Sequence, residues 1–212
     1  MSEHLALLEH AAGRSIGLLG GSFNPAHEGH VFVSRLALDR LRLDAVWWLV
    51  APQNPLKPVH GMMPFARRLQ AARAFVDDPG IRVTGIEAAL GTRYTCDTLR
   101  RLKARAPAAR FVWLMGADNM ATIHRWHRWH EIFTTVPVAV FDRAPYSFSC
   151  LASRAAIRFR AFRLDQDKAL TLARRPPPVW TYVMGPRHPA SASAIRAGDT
   201  TFGHARQDDG NT

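Results

Sequence analysis

The stretch GGSFNPAHEGH at residues 20–30 decides the fold of this chain of 212 residues. It follows an apolar run at 16–19 that is typical of a buried strand, and it opens a segment with helical periodicity. Glycines at a strand end let the backbone approach a ligand closely, and the free N–H groups of the next helix attract anions. His27 and His30 lie three residues apart and therefore share one helix face. The pattern predicts a nucleotide-phosphate site in which both imidazoles meet one phosphate chain.

Six continuous apolar runs alternate with helical patterns along the chain. The predicted strands cover residues 16–19, 45–50, 81–84, 111–115, 136–141 and 179–184, and the predicted helices cover about 30–41, 64–76, 95–104 and 152–162. This alternation predicts an α/β fold with a doubly wound parallel sheet that is covered on both faces. Ligands of such sheets bind beyond the carboxyl ends of the strands.

The composition suits one domain that buries its own core, because 47% of the residues are hydrophobic. We expect this domain at 15–198, after an N-terminal extension at 1–14 and before a polar C-terminal tail at 199–212. Cys96 and Cys150 belong to no CxxC pair, which favours free thiols in a cytoplasmic protein. The apolar runs are too short to span a bilayer, so no membrane partner is expected.

A formal net charge of +11 would suit a protein that binds nucleic acid. The arginines are scattered among alanine and proline, however, and polyphosphate substrates account for part of the excess. We therefore expect no nucleic-acid partner, although a basic nucleic-acid-binding protein stays the alternative from another functional class. Steeply salt-dependent binding of nucleic acid would favour it.

A second motif, SASAIR at residues 191–196, lies near the C-terminus. Together with GGSFNPAHEGH it resembles the signature of the HxGH nucleotidyltransferase superfamily, whose members join the α-phosphate of a nucleotide to a phosphorylated acceptor. The chain departs from the usual pattern at three positions: Ser193 replaces a threonine, Ala192 carries no hydroxyl, and Asn24 stands where many members have aspartate. Without the resemblance, the two serines of SASAIR would be helix N-cap candidates and Arg196 a solvated charge.

Two internal segments resemble the nicotinate-mononucleotide adenylyltransferase branch of this superfamily. RYTCDTL at 93–99 is similar to the branch's Ser-Tyr-Thr-x-Asp-Thr-Leu, and Thr95 is a candidate cap for the helix that follows. GADNMATIHRW at 116–126 places Trp126 eight residues after Asp118, as in that branch. The flat face of Trp126 suits a pyridine ring. A core role for Trp126, with Trp129 in the pocket instead, is the alternative.

A Pro-rich loop at 51–60, APQNPLKPVH, carries Lys57 at its tip. It resembles the superfamily's loop that brings a lysine over the triphosphate, whereas the alternative is a solvated lysine on a rigid turn. Arg67 and Arg68, on the helix after this loop, are interpreted as a solvated pair, with a phosphate-facing role as the alternative.

The histidines of HRWHRWH at 124–130 recur at every third residue. On a continuous helix they drift around the axis, and no acidic ligand accompanies them. We therefore predict a basic, partly exposed helix and no metal site there.

The resemblance implies adenylyl transfer from ATP to nicotinate mononucleotide, giving deamido-NAD and pyrophosphate, with Mg²⁺ carried by ATP. Implied catalytic residues are His27, His30, Lys57 and Arg196. ATP would be bound by Gly20, Gly21, Ser22, Phe23, His27, His30, Asp118, Ser193, Ile195 and Arg196, and the acceptor by Asn24, Tyr94, Thr95 and Trp126. Adenylyltransferases for nicotinamide mononucleotide or phosphopantetheine share both end motifs and remain alternatives, although the two internal segments argue against the latter. A homo-oligomer is left open.

Overall fold

The computed structural model describes residues 3–52, 61–142 and 148–185. Its centre is a seven-stranded sheet of order β3-β2-β1-β4-β5-β7-β6, in which every neighbouring pair is parallel. The strands are β1 Ser15–Gly21, β2 Ala45–Val50, β3 Ile81–Thr84, β4 Arg110–Gly116, β5 Val138–Phe141, β6 Arg163–Leu164 and β7 Trp180–Val183. The predicted doubly wound parallel sheet is confirmed.

Eight α-helices precede or connect these strands within the described ranges. They are α1 Glu3–His10, α2 Glu28–Leu41, α3 Phe65–Phe75, α4 Ile86–Ala89, α5 Thr95–Arg105, α6 Ala117–Thr122, α7 Trp129–Thr135 and α8 Arg154–Arg158. Four 3₁₀ segments complete the connections: Ile123–Arg125, Phe148–Ala152, Arg160–Phe162 and Gln166–Arg174. None of the helices in these ranges is long and apolar enough to cross a membrane.

Two hydrophobic cores cover the two faces of the sheet. One core packs α1 and α4–α8 against the sheet and contains Leu99, Met120 and Ile132. The other packs α2, α3 and the 3₁₀ segment Gln166–Arg174, and contains Ala37. Strands buried on both faces require continuous apolar sequence, and β2 fits this requirement because all six of its residues are buried.

The chain reverses its direction across the sheet between β1 and β4. From β1 the strands progress to β2 and β3 on one side, whereas from β4 they progress to β5 and β7 on the other. Leu19 lies opposite Leu114, and both strands end two residues later, at Gly21 and Gly116. Ligands of open parallel sheets bind at such a switch point. The ends of β1 and β4 therefore define where the site should be.

The helix predicted at 152–162 is wrong, because the structure breaks this region into α8 and two 3₁₀ segments. Ser153 caps α8 by accepting a hydrogen bond from the Ala156 N–H. At the other end, the carbonyl of Phe159 accepts a hydrogen bond of 2.8 Å from Trp180 Nε1. The same carbonyl accepts a hydrogen bond of 3.0 Å from the Phe162 N–H, so α8 ends at Arg158 and a 3₁₀ turn follows it.

Strand β5 is shorter than predicted, and strand β6 and helix α1 were not predicted at all. Strand β5 begins only at Val138, after Pro137, and β6 has two residues. Helix α1 lies within the predicted N-terminal extension, and Leu8 and Ala11 from this region belong to the hydrophobic core. The boundary after residue 14 stays a prediction, and the tail at 199–212 lies outside the described residues.

Candidate active site

The first half of the site is the junction between β1 and α2. His27 has an extended backbone and is the N-cap of α2, where its Nδ1 accepts a hydrogen bond of 3.1 Å from the Gly29 N–H. Three residues later, His30 Nδ1 accepts a bond of 3.2 Å from the backbone N–H of His27. The two imidazoles thus form a reciprocal capping box, a role that serine and glutamate play more often.

This capping arrangement fixes the tautomer of each neutral ring, that is, which of its two nitrogens carries the proton. A neutral imidazole that accepts a hydrogen bond at Nδ1 carries its proton on Nε2. The proton of each neutral ring is therefore on Nε2, and the ring centroids of His27 and His30 lie 3.8 Å apart. Two neighbouring imidazoles at a helix N-terminus are suited to an anion with several oxygens.

Aromatic rings support this histidine pair from beneath. The Phe23 ring stacks on Trp48 with 4.9 Å between centroids, and it lies 4.7 Å from His30. Phe23 adopts a positive φ of 47°, which turns the chain sharply after β1. Both Phe23 and Trp48 are almost completely buried. The histidines are therefore held on a rigid apolar base.

The glycines that end β1 have a packing role in addition to the predicted ligand role. A Cβ on Gly20 would overlap the indole of Trp113 on β4, and one on Gly21 would lie 3.1 Å from the Phe23 ring. Only glycine at residue 20 thus allows Trp113 to fill the space beneath the switch point. The hydroxyl of Ser22 is buried and has no hydrogen-bond partner among the described residues.

The second half of the site follows β4. Asp118 is half-buried and lies in the first turn of α6, directly after the strand that neighbours β1. Trp126 is half-buried, and its ring meets that of Trp113 edge to face at 6.5 Å. Because Trp113 also packs against Gly20, the two indole rings connect the end of β1 to Trp126.

Trp129 has a different environment. Its ring makes edge contacts with Phe133 at 6.3 Å and with Phe159 at 6.0 Å, and those two rings stack on each other. This aromatic cluster belongs to the core between α7 and α8. The contacts favour Trp126 over Trp129 as the tryptophan nearer to the switch point.

The start of α5 meets the segment that carries Trp126. Tyr94 is the N-cap of α5 but makes no side-chain cap bond, and its ring lies 4.3 Å from the ring of His127. Thr95 is the first helical residue and not the cap, so the predicted capping role of its side chain is wrong. The RYTCDTL segment at 93–99 and the histidine-rich stretch at 124–130, which are distant in sequence, are thus adjacent in space.

The interpretation of Arg67 and Arg68 as a solvated pair is wrong for Arg68. This side chain is 1% exposed, and within the described part of the chain its hydrogen bonds go to backbone carbonyls. These bonds reach the loops after β1 and β2 and the turn before α3, namely at Ser22, Ala51, Pro52 and Met63. Burial lowers the pKa of the guanidinium. Arg67, by contrast, is exposed as expected.

Asn24 joins the same framework. Its amide nitrogen donates to the Gly61 carbonyl at 3.2 Å, and its Oδ1 accepts from the Met63 N–H at 3.3 Å. An aspartate here could not donate to the Gly61 carbonyl, which gives a physical reason for the asparagine. The acceptor-binding role of Asn24 stays a prediction.

The histidine-rich stretch is not the single helix that its sequence suggests. His124 lies in a 3₁₀ turn, His130 lies in α7, and Arg128 separates them with a positive φ of 47°. Over the ranges 3–52, 61–142 and 148–185, no three histidine, cysteine, aspartate or glutamate side chains gather in a way that could hold a metal ion.

Several predicted site residues fall outside the described part of the chain: Lys57, Ser193, Ile195 and Arg196. Conversely, the structure adds four residues that sequence reasoning missed. Trp113 and Arg68 support the β1 loop, His127 packs on Tyr94, and the buried Glu87 lies beside the start of α5. A long apolar strand gives no sign of which tryptophan lies under a glycine, and an arginine among arginines gives no sign of burial.

Comparison with known proteins agrees with this arrangement. The cytidylyltransferase-like family model matches residues 18–198. A protein of Methylorubrum extorquens (strain PA1) named "Probable nicotinate-nucleotide adenylyltransferase" is 55% identical over 182 residues, covering 85% of this chain and 98% of the relative. One of the same name from Mesorhizobium japonicum is 50% identical over 184 residues, covering 87% and 94%.

Among solved structures, the nicotinic acid mononucleotide adenylyltransferase of Plasmodium falciparum complexed with NaAD superposes with a TM-score of 0.65. The match covers 87% of this chain and 83% of that one, at 16% identity, and so supports the fold. The family match and the curated relatives carry the assignment: the chain belongs to the cytidylyltransferase-like family and, within it, to the nicotinate-nucleotide adenylyltransferases.

Proposed function

We propose that this protein transfers the adenylyl group of ATP to nicotinate mononucleotide, forming deamido-NAD and pyrophosphate. The observation that carries the proposal is the pair of imidazoles of His27 and His30 at the N-terminus of α2, with ring centroids 3.8 Å apart and each Nδ1 held by a backbone N–H. The pair lies at the switch point of the sheet, where nucleotides bind in folds of this class. The relatives named for this activity point the same way.

The reaction places few chemical demands on the protein. The acceptor is a phosphate monoester whose second ionisation has a pKa near 6, so it is largely dianionic at neutral pH and needs no general base. One of its oxygens forms a bond to the α-phosphorus of ATP while the bond from that phosphorus to the bridging oxygen breaks. The electron pair leaves with pyrophosphate. Catalysis then consists of orienting the two phosphates and stabilising charge on the transferring group.

His27 and His30 are assigned to charge stabilisation. Their Nε2–H groups donate to the triphosphate and to the five-coordinate phosphorus of the transition state. Both rings are fixed at Nδ1, His30 packs on Phe23 and His27 packs on His30. They therefore need not reorganise as charge develops, which is the condition under which such donors contribute most. Lys57 and Arg196 are proposed to bind the β- and γ-phosphates and the leaving pyrophosphate.

The remaining ATP contacts are proposed on the same edge of the sheet. The backbone of residues 20–23 approaches the nucleotide, and Asp118 accepts hydrogen bonds from ribose hydroxyls. Ser193 and Ile195 contribute from the closing motif. The acceptor lies between Trp126 and the start of α5, with its pyridine ring on the Trp126 face and with Asn24, Tyr94 and Thr95 as further contacts.

Mg²⁺ is proposed to enter as part of the substrate. The imidazoles of His27 and His30 both use Nδ1 for capping, and nitrogen donors suit Mg²⁺ poorly. Phosphate oxygens of ATP and water are the ligands that the ion prefers. A cytoplasmic location accompanies this proposal, because ATP is available there.

The decisive experiment measures pyrophosphate release with ATP and each of three acceptors: nicotinate mononucleotide, nicotinamide mononucleotide and phosphopantetheine. We expect deamido-NAD, identified by mass, and a kcat/KM for the nicotinate compound roughly tenfold or more above that for the amide, since discrimination rests on a charged group. A His27→Asn, His30→Ala double variant, purified in parallel, controls for contaminating enzymes. Preference for another acceptor, or no release with any of them, would contradict the proposal.

A further inference from the structure

A buried glutamate beside the proposed acceptor pocket has no part in the reaction described above. Glu87 lies on α4, directly after β3, and only 8% of its surface is exposed. Among the described residues no cation forms an ion pair with it. Its Oε1 lies 3.2 Å from the hydroxyl oxygen of Thr98 on α5. A carboxyl that is buried without a cation requires such hydrogen bonds to be tolerated.

Thr98 connects this carboxyl to the turn that precedes α5. Its hydroxyl, which is fully buried, lies 2.8 Å from that of Thr92 and 3.2 Å from the carbonyl of Tyr94. Thr92 in turn donates its backbone N–H to the Glu87 carbonyl at 3.0 Å. A closed hydrogen-bonded ring therefore joins α4 to both ends of the turn at 92–94.

The protonation of Glu87 decides how this ring is satisfied. Burial raises the pKa of its carboxyl to about 7, and the hydrogen bond from Thr98 opposes part of that rise. When the carboxyl is neutral, its O–H can donate to Thr98, which leaves the Thr98 hydroxyl hydrogen for the Tyr94 carbonyl. A glutamine at this position could donate in the same way.

We propose that Glu87, acting through Thr98 and Thr92, is a positioning residue that fixes the turn before α5 and so presents Tyr94 and Thr95 to the acceptor mononucleotide. The proposal rests on the proposed function, since it assumes that the start of α5 contacts the acceptor. The Tyr94 ring packs at 4.3 Å on His127, next to Trp126. A shift of the turn would therefore alter one wall of the acceptor pocket and leave His27 and His30 in place.

The test compares Glu87→Ala, Glu87→Gln and Thr98→Val with the wild-type protein. We expect Glu87→Ala and Thr98→Val to raise KM for nicotinate mononucleotide about five- to tenfold, while KM for ATP stays within about twofold. Glu87→Gln should recover most of the wild-type value. Hydrogen exchange of the amides at 92–98 should accelerate in the first two variants and not in the glutamine variant.

Thr181→Val is the matched control for Thr98→Val, because Thr181 is as fully buried as Thr98. Its hydroxyl donates to the backbone carbonyl of Leu164, at the opposite edge of the sheet from Glu87. Thr181→Val should lower the melting temperature with both KM values unchanged. Unchanged acceptor KM in Glu87→Ala, or equal damage in Glu87→Gln, overturns the positioning role while the activity stands. A wild-type protein that does not use nicotinate mononucleotide overturns the proposed function itself, and the acceptor role of this turn with it.

Discussion

Arg68 Nη1 donates a hydrogen bond of 2.6 Å to the carbonyl of Ser22, the residue that follows β1. The same nitrogen donates at 2.8 Å to the carbonyl of Ala51, which follows β2. One guanidinium from α3 therefore ties together the loops at the ends of two neighbouring strands. Nε and Nη2 also donate, to the carbonyls of Met63 and Pro52. The planar fork of arginine reaches all these carbonyls from three nitrogens, whereas the single ammonium of lysine has one nitrogen. The loop that leads to His27 takes its shape partly from α3.

Replacing Arg68 by lysine is expected to destabilise the protein by about 3 kcal/mol, because several buried carbonyls lose a charged donor. For a chain of this size that corresponds to a fall in melting temperature of roughly 10 °C. Calorimetry on Arg68→Lys, with Arg67→Lys as the control from the exposed neighbour, measures the effect. Equal melting temperatures for the two variants would show that the bonds to the loops contribute little.

The sheet was predictable because its strands are long apolar runs and its helices lie between them. The histidine pair was predictable because the strand, glycines and helix N-terminus occur together within residues 16–30. Both are local features that a reader of the sequence can see directly. The boundaries of β1 and α2 in the structure differ from the predicted ones by at most two residues.

The supporting residues were not predictable, because their roles arise from tertiary contacts. Arg68 looks like any arginine on a polar helix face until its loop carbonyls are in place. Glu87 lies in a four-residue helix, and its contact with the Thr98 hydroxyl exists only because α5 packs beside that helix. A sequence pattern describes one segment of the chain, so it does not reveal residues whose role is to connect two segments.

His27 serves both as a helix cap and as a proposed catalytic donor, and the two roles can be separated. Asparagine is a strong N-cap, so His27→Asn should keep α2 intact while removing the Nε2–H donor. We expect kcat to fall on the order of a hundredfold or more, as for the loss of one oriented donor, with a melting temperature close to that of the wild type. His30→Ala should lower kcat similarly. Steady-state kinetics with circular dichroism checks both, and near-normal turnover of the double variant would exclude a transition-state role.

The titration of Glu87 predicts a pH dependence of stability. The ordinary pKa of a glutamate is 4.5, and burial raises that of Glu87 to about 7. Between these pH values the folded protein retains a proton that the unfolded chain has lost, so this group's contribution to stability declines as pH rises through the window. Glu87→Gln removes the titration. Its melting temperature should therefore gain on the wild type between about pH 5 and pH 8.

Melting curves at pH 5, 6, 7 and 8 measure this gain. Glu9→Gln, which makes the same substitution at an exposed glutamate, is the matched control. Parallel curves for Glu87→Gln and the wild type would mean that the carboxyl titrates alike in the folded and unfolded chains.

We expect opposite effects of Trp126→Ala and Trp129→Ala on the KM for the acceptor mononucleotide. Trp126 adjoins Trp113 beneath the switch point, whereas Trp129 packs on Phe133 and Phe159. Stacking contributes about 1 kcal/mol beyond burial, so Trp126→Ala should raise KM for nicotinate mononucleotide severalfold and spare KM for ATP. Trp129→Ala should instead lower the melting temperature with both KM values intact, because a core aromatic is lost. Kinetics and calorimetry on the pair decide the matter, since a selective acceptor defect in Trp129→Ala alone would transfer the pyridine-binding role to Trp129.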